Sequence, residues 1–181
     1  MANALTDPPF AANPPVKLNV NAKVLGLVLG IIAVILGVLD LIGMLGAFGL
    51  CSGILGGVCG FPLLWVLGSL ITLVADVTVA IGGFRMYQDN REGKTWVVYG
   101  IALGVVGQVL NLVGTIIAYS GLSAFGVGFS TGAIFGFVIY LIIRFIVYYL
   151  VVISRFPGEA PLAPTSYGGY GGTPPPPPPS V

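Results

Sequence analysis

Four long apolar stretches divide the chain, near residues 24–47, 61–84, 95–119 and 133–153. Crossing a hydrocarbon core of ~30 Å takes roughly 17–25 helical residues, and each stretch meets that length. Between the second and third lies Arg85-Met86-Tyr87-Gln88-Asp89-Asn90-Arg91-Glu92-Gly93-Lys94, which holds five of the thirteen charged residues. A charged segment between two such runs reads as a water-exposed turn joining two membrane-spanning helices. The alternative, a loop on a soluble protein, needs a larger core than 181 residues can enclose. In lipid the spans must be helices, because an unpaired backbone group there costs several kcal/mol. The pattern therefore predicts an all-α integral membrane protein. Its core is a four-transmembrane-helix bundle over residues 23–156, flanked by an arm (1–22) and a tail (157–181).

Both flanks read as disordered. The arm carries two X-Pro-Pro groups, Asp7-Pro8-Pro9 and Asn13-Pro14-Pro15, which favour extended chain. It has no early basic residue, and the apolar run behind it exceeds the ~7–15 residues of a signal h-region, so that run reads as a retained span. The tail runs from Ser166-Tyr167-Gly168-Gly169-Tyr170-Gly171-Gly172 into six prolines, Pro174–Pro179. Such a segment buries too little apolar area to offset chain entropy, and its prolines favour polyproline II.

Basic residues set the orientation. Lys17, Lys23, Arg85, Arg91, Lys94 and Arg155 fall on one side of a four-span arrangement, and the opposite loops, 48–60 and 120–132, contain no Lys or Arg. The positive-inside rule then predicts a cell-membrane protein with both termini and the 85–94 turn in the cytoplasm. Tyr87, Trp96, Tyr99, Tyr148 and Tyr149 fall at the inner boundary, and Trp65 and Tyr119 near the outer one. The two outer loops are apolar and glycine-rich, which predicts compact caps on the bundle.

Small residues form seams along the spans. Gly26, Gly30, Ala33, Gly37 and Asp40 recur at intervals of four and three in the first, as do Gly100, Gly104, Gly107, Asn111 and Gly114 in the third. That spacing lines one helix face. Gly26/Gly30, Gly100/Gly104 and Gly128/Gly132/Gly136 are GxxxG pairs, which let helix backbones approach closely in lipid. With a polar residue at the outer end of both seams, helices 1 and 3 are expected to face inward and pack together.

Three charges lie inside the spans: Asp40, Asp76 and Arg144. A charge at the bilayer centre costs ~2.5–3.5 kcal/mol on insertion scales and marks a candidate functional site. Counted at 1.5 Å per residue, Asp76 lies ~13 Å above Arg85 and Arg144 ~16 Å above Arg155. That similar height predicts an ion pair, with Tyr140 and Tyr148 one turn either side of the guanidinium. Asp40 lies ~25 Å above Lys23, and Gln108 and Asn111 ~20–25 Å above Thr95. A hydrogen-bonded cluster of Asp40, Gln108, Asn111 and Thr115 is one reading, and emergence of Asp40 into interfacial water is the other. The ~12 Å height difference between Asp40 and Asp76 argues against a shared-proton dyad.

Composition narrows the function. Charged residues make up 7%, hydrophobic residues 56%, and mean hydropathy is +1.02. A net charge of +1 offers nothing for nucleic acid. The absence of histidine removes the usual general base and metal ligand, and two cysteines cannot build a zinc site unaided. Cys51 and Cys59, both in the first outer loop, are candidates for a disulfide, the alternative being two small buried hydrophobes. No P-loop and no nucleophile elbow is present. No catalytic, cofactor or metal site is expected. The leading expectation is a non-enzymatic accessory or organising protein. Its partners would be the bilayer, other membrane helices or further copies of itself, and a soluble cytoplasmic protein at the proline-rich tail, the alternative for the tail being a plain spacer. The alternative is a small oligomeric transporter or channel subunit using Asp76, Arg144 and Asp40.

Overall fold

The apolar stretches fold as four helices, α1 (Ala22–Gly53), α2 (Leu63–Tyr87), α3 (Glu92–Tyr119) and α4 (Phe125–Ile153), in a computed structural model of the chain. Residues 5, 8–11, 14–16, 18–53, 63–119 and 125–159 are described, with 9, 47–53, 118–119 and 125–130 described in backbone only. Each helix contains a segment long and apolar enough to cross a membrane. Parts of both expected outer caps are helical instead, since α1 runs on to Gly53 and α4 starts at Phe125. No proline or charge interrupts either stretch, so nothing stops the backbone ladder from extending.

The polar decapeptide makes a tight turn. Asp89 takes a left-handed conformation, φ 62°, which short polar side chains tolerate better than most. The Asn90 side-chain oxygen accepts the Glu92 backbone N–H at 2.9 Å and so caps α3. Glu92 itself lies in the first turn of α3, where helix-dipole charge favours an acid. A turn this short makes α2 and α3 antiparallel neighbours.

α2 is the hub of the bundle. Helix pairs in extensive contact are α1 with α2, α2 with α3, and α3 with α4. Two consecutive glycines show how α2 serves two neighbours. A Cβ on Gly82 would lie 2.7 Å from the Val97 nitrogen of α3, and one on Gly83 2.6 Å from the Gly26 carbonyl oxygen of α1. Successive residues point ~100° apart around a helix, so the dipeptide opens two faces at one level.

Both glycine seams therefore meet α2, which corrects the expected packing of helix 1 on helix 3. Gly26 and Gly30 lie against Gly83, Phe84 and Met86, and Gly37 against Asp76. Gly100 lies against Ala75 and Val79, Gly107 against Gly68 and Thr72, and Gly114 against Trp65. The reason is that α2 carries small residues on both sides, Gly68, Thr72, Ala75, Ala80, Gly82 and Gly83 all being buried. It is also the chain neighbour of both α1 and α3.

The charged end is closely tied. Lys23 pairs with Asp89 at 2.7 Å, Arg85 with Glu92 at 3.5 Å and Arg91 with Glu159 at 3.3 Å. Arg85 also lies over the Trp96 ring, 5.1 Å from its centroid. The Lys94 ammonium donates to the Ser154 carbonyl, joining the start of α3 to the end of α4. The two ends of the helical domain meet as well. The Ala22 N–H donates to the Arg155 carbonyl at 2.8 Å, and the Arg155 N–H to the Val20 carbonyl at 2.9 Å. Where the sequence suggested an extended arm, its described residues fold over this end. Pro9–Ala11 make a single 3-10 turn, Phe10 stacks on Tyr149, and the Tyr149 hydroxyl donates to the Val16 carbonyl at 2.8 Å.

The opposite halves of α1 and α4 stand open. Among the described residues, a Cβ added at Gly46, Gly132 or Gly136 would meet nothing within 4 Å. Large apolar side chains turn outward along both helices, including Ile35, Leu39, Ile42, Phe135, Ile142 and Phe145. An outward apolar surface of that extent suits a lipid solvent.

Candidate functional site

Three helices bring the intramembrane charges together. Asp76 of α2 is 2% exposed, and its Oδ1 accepts a hydrogen bond from the Arg144 guanidinium of α4 at 3.2 Å. The guanidinium carbon also lies over the Tyr140 ring, 4.9 Å from its centroid, one turn earlier on the same helix. α4 reaches α2 past a gap in α3. A Cβ at Gly104 would lie 2.8 Å from the Tyr140 hydroxyl and 3.5 Å from an Arg144 nitrogen. Gly104, expected only as a helix-packing residue, is thus what admits the polar side chains of α4.

Asp40 belongs to the same cluster, which corrects the expected 12 Å offset from Asp76. Its side chain lines one cavity together with Asp76 and Arg144. The sequence count measured α1 from Lys23 and α2 from Arg85 as if these were level. Lys23 is in fact level with Asp89, its partner, four residues further along, which removes ~6 Å of the offset. Side-chain direction closes much of the rest. Helical side chains lean toward their own N-terminus, so on antiparallel α1 and α2 the two carboxyls lean toward each other.

Two cavities adjoin the cluster. One, of about 350 Å³, lies among all four helices and is lined by Asp40, Asp76, Gln108, Tyr140 and Arg144 together with aliphatic residues of α1 and α4. The other, of about 320 Å³, extends toward the uncharged end and is lined by Asp40, Trp65, Ser69, Gln108, Asn111 and Thr115 among others. Asp40, Thr72 and Gln108 border both. The expected grouping of Asp40 with Gln108, Asn111 and Thr115 is therefore placed around one space, where the Asn111 side-chain oxygen accepts the Ser69 hydroxyl at 3.2 Å. Tyr148 lies apart from Arg144's partners, its hydroxyl donating to the Leu5 carbonyl at 2.9 Å.

The expected Cys51–Cys59 disulfide, Gly128 and the proline-rich tail fall outside the described residues and side chains. Among the described residues no group of three His, Cys, Asp or Glu is placed to hold a metal ion. Neither the Lys94–Ser154 tie nor Gly104 as a port for α4 is legible in the sequence. The first depends on where a flexible side chain lands, and the second is hidden because Gly104 also fits the seam period. No protein-family model, curated protein or solved structure matches the chain.

Proposed function

We propose that this chain is a non-enzymatic, multi-pass protein of a cell membrane that organises other membrane helices along the outer halves of α1 and α4. The observation that carries this reading is the set of open glycines, Gly46 on α1 and Gly132 and Gly136 on α4, with no neighbour within 4 Å among the described residues. A lipid-facing position gains nothing from glycine, which weakens a helix by about 1 kcal/mol relative to alanine. Small residues at an open face instead leave room for another helix to approach. Partner spans or a second copy would fill that room, and the proline-rich tail would offer a preformed docking segment to a soluble cytoplasmic protein. Cytoplasmic ends are supported by Lys23, Arg85, Arg91, Lys94 and Arg155 at one end of the bundle. In membranes, Gly132→Leu combined with Gly136→Leu is expected to abolish chemical crosslinking to neighbouring spans while leaving the protein folded. Unchanged crosslinking refutes the reading.

A second reading, a small transporter or channel subunit, is favoured by the Asp40–Asp76–Arg144 cluster and its two adjoining cavities. Intramembrane charges that border cavities commonly mark ion or proton pathways. Flux through proteoliposomes, lost in Asp76→Asn with folding intact, is the expected outcome under this reading.

A further inference from the structure

We infer that Asp40 and Asp76 together form a binding site for one exchangeable proton, reached through the polar cavity bordered by Gln108 and Asn111. This inference rests on the transport reading and names what that site would take. Three charged side chains share the mid-membrane cluster, two carboxyls and one guanidinium lining one cavity. Fully ionised, the cluster carries one unbalanced negative charge in a medium where such a charge is costly. Two carboxyls lining one cavity relieve this by holding one proton between them, one as a hydrogen-bond donor and the other as acceptor. The bound state is then neutral, with the remaining carboxylate held by Arg144 at 3.2 Å.

All four helices contribute to the surroundings of this pair. α1 contributes Asp40 and α2 Asp76. α4 contributes Arg144 and Tyr140, and α3 the neutral Gln108. The Tyr140 hydroxyl is buried without a hydrogen-bond partner and borders the same cavity, so an exchangeable occupant there has a polar group to meet. The route is equally specific. Ser69, Thr72, Gln108, Asn111 and Thr115 supply hydroxyls and amides from Asp40 toward the uncharged end. The groove between α1 and α2 on the lipid side, which Asp76 also borders, is otherwise lined by apolar residues. Exchange therefore runs through the polar cavity to Asp40 first, and Asp40 is the more exposed of the two acids.

The test is infrared spectroscopy of the full-length protein in lipid nanodiscs at neutral pH. A carboxylic-acid carbonyl band equivalent to one group per chain is expected, shifting when water is replaced by heavy water. It should be lost in Asp40→Asn and in Asp76→Asn. Circular dichroism confirms that each variant is folded, and the wild-type band alone decides the matter should a variant fail to fold. Absence of the band in folded wild type overturns the inference, as does a band that persists unchanged in Asp40→Asn. A sodium-dependent rise in thermal stability without the band also overturns it, by assigning the site to a metal cation. A band without proton-driven flux in vesicles supports the site while removing the transport reading.

Discussion

Replacing Gly83 with alanine tests whether α2 is held by backbone contact. The new methyl would lie 2.6 Å from the Gly26 carbonyl oxygen, 2.7 Å from the Gly30 nitrogen and 2.9 Å from the Gly30 Cα. All three atoms are backbone of α1, so no side-chain rotation relieves the clash. Ordinary contact starts near 3.4 Å, so α1 must withdraw by about 0.8 Å along its whole contact with α2. Overpacking of this kind costs ~1–3 kcal/mol. Alanine also favours a helix over glycine by about 1 kcal/mol, so the wild type is the wrong reference. Gly136→Ala is the better one, since its methyl meets nothing within 4 Å and carries the same helical gain. The difference between the two variants isolates packing, and ~1–3 kcal/mol corresponds to about 5- to 150-fold in the folded-to-unfolded ratio. Reversible unfolding in mixed micelles, followed by tryptophan fluorescence, measures that ratio. If Gly83→Ala proves as stable as Gly136→Ala, α1 and α2 do not touch through Gly83 and the arrangement around α2 is refuted.

Two further perturbations probe the charges. Arg144→Leu leaves two facing carboxyls without their guanidinium and is expected to destabilise by ~3–5 kcal/mol. Asp76→Leu leaves Arg144 with Asp40 and is expected to cost less, ~1.5–3 kcal/mol, with the double variant well below the sum of the singles. Denaturant titration of the three variants checks this, and an equal cost for both singles would show that Asp40 does not reach Arg144. At the turn, Asp89→Gly relieves a left-handed conformation but removes the exposed pair with Lys23, worth ~0.2–1 kcal/mol, so stability should stay within about 1 kcal/mol of wild type. Asp89→Val, a branched side chain in the same conformation, should lose ~1–3 kcal/mol. Thermal melts in detergent distinguish the two, and equal melts would mean the turn is not left-handed at this position.

The four helices were legible because their length and lack of charge leave a bilayer as the only fitting solvent. The levels of Asp76 and Arg144 could be counted from the polar layer, because α2 and α4 both end near it. Asp40 could not be placed this way. Its height depends on the register of α1 against α2, which is set by Lys23 reaching Asp89 and by Gly26 seating against Met86. The neighbour chosen by each seam was hidden for a related reason. A period of three and four names a face of Gly26, Gly30 and Gly37, and says nothing about which helix that face meets. α2 took both seams because Gly82 and Gly83 open two sides at once, a pattern visible only when two adjacent glycines are read as belonging to different faces.

The backbone bonds between Ala22, Val20 and Arg155 place a condition on biosynthesis. The first helix is inserted while the residue that will hold its start has yet to be translated. Until Arg155 leaves the ribosome, the opening N–H of α1 lacks its eventual acceptor and Lys94 lacks the Ser154 carbonyl. Helices α1 to α3 can gather around α2 during translation. The clasp at the charged end forms last, so a ribosome stalled before this point would release a protein with its α1–α2 and α2–α3 glycine contacts made and its two ends still unjoined.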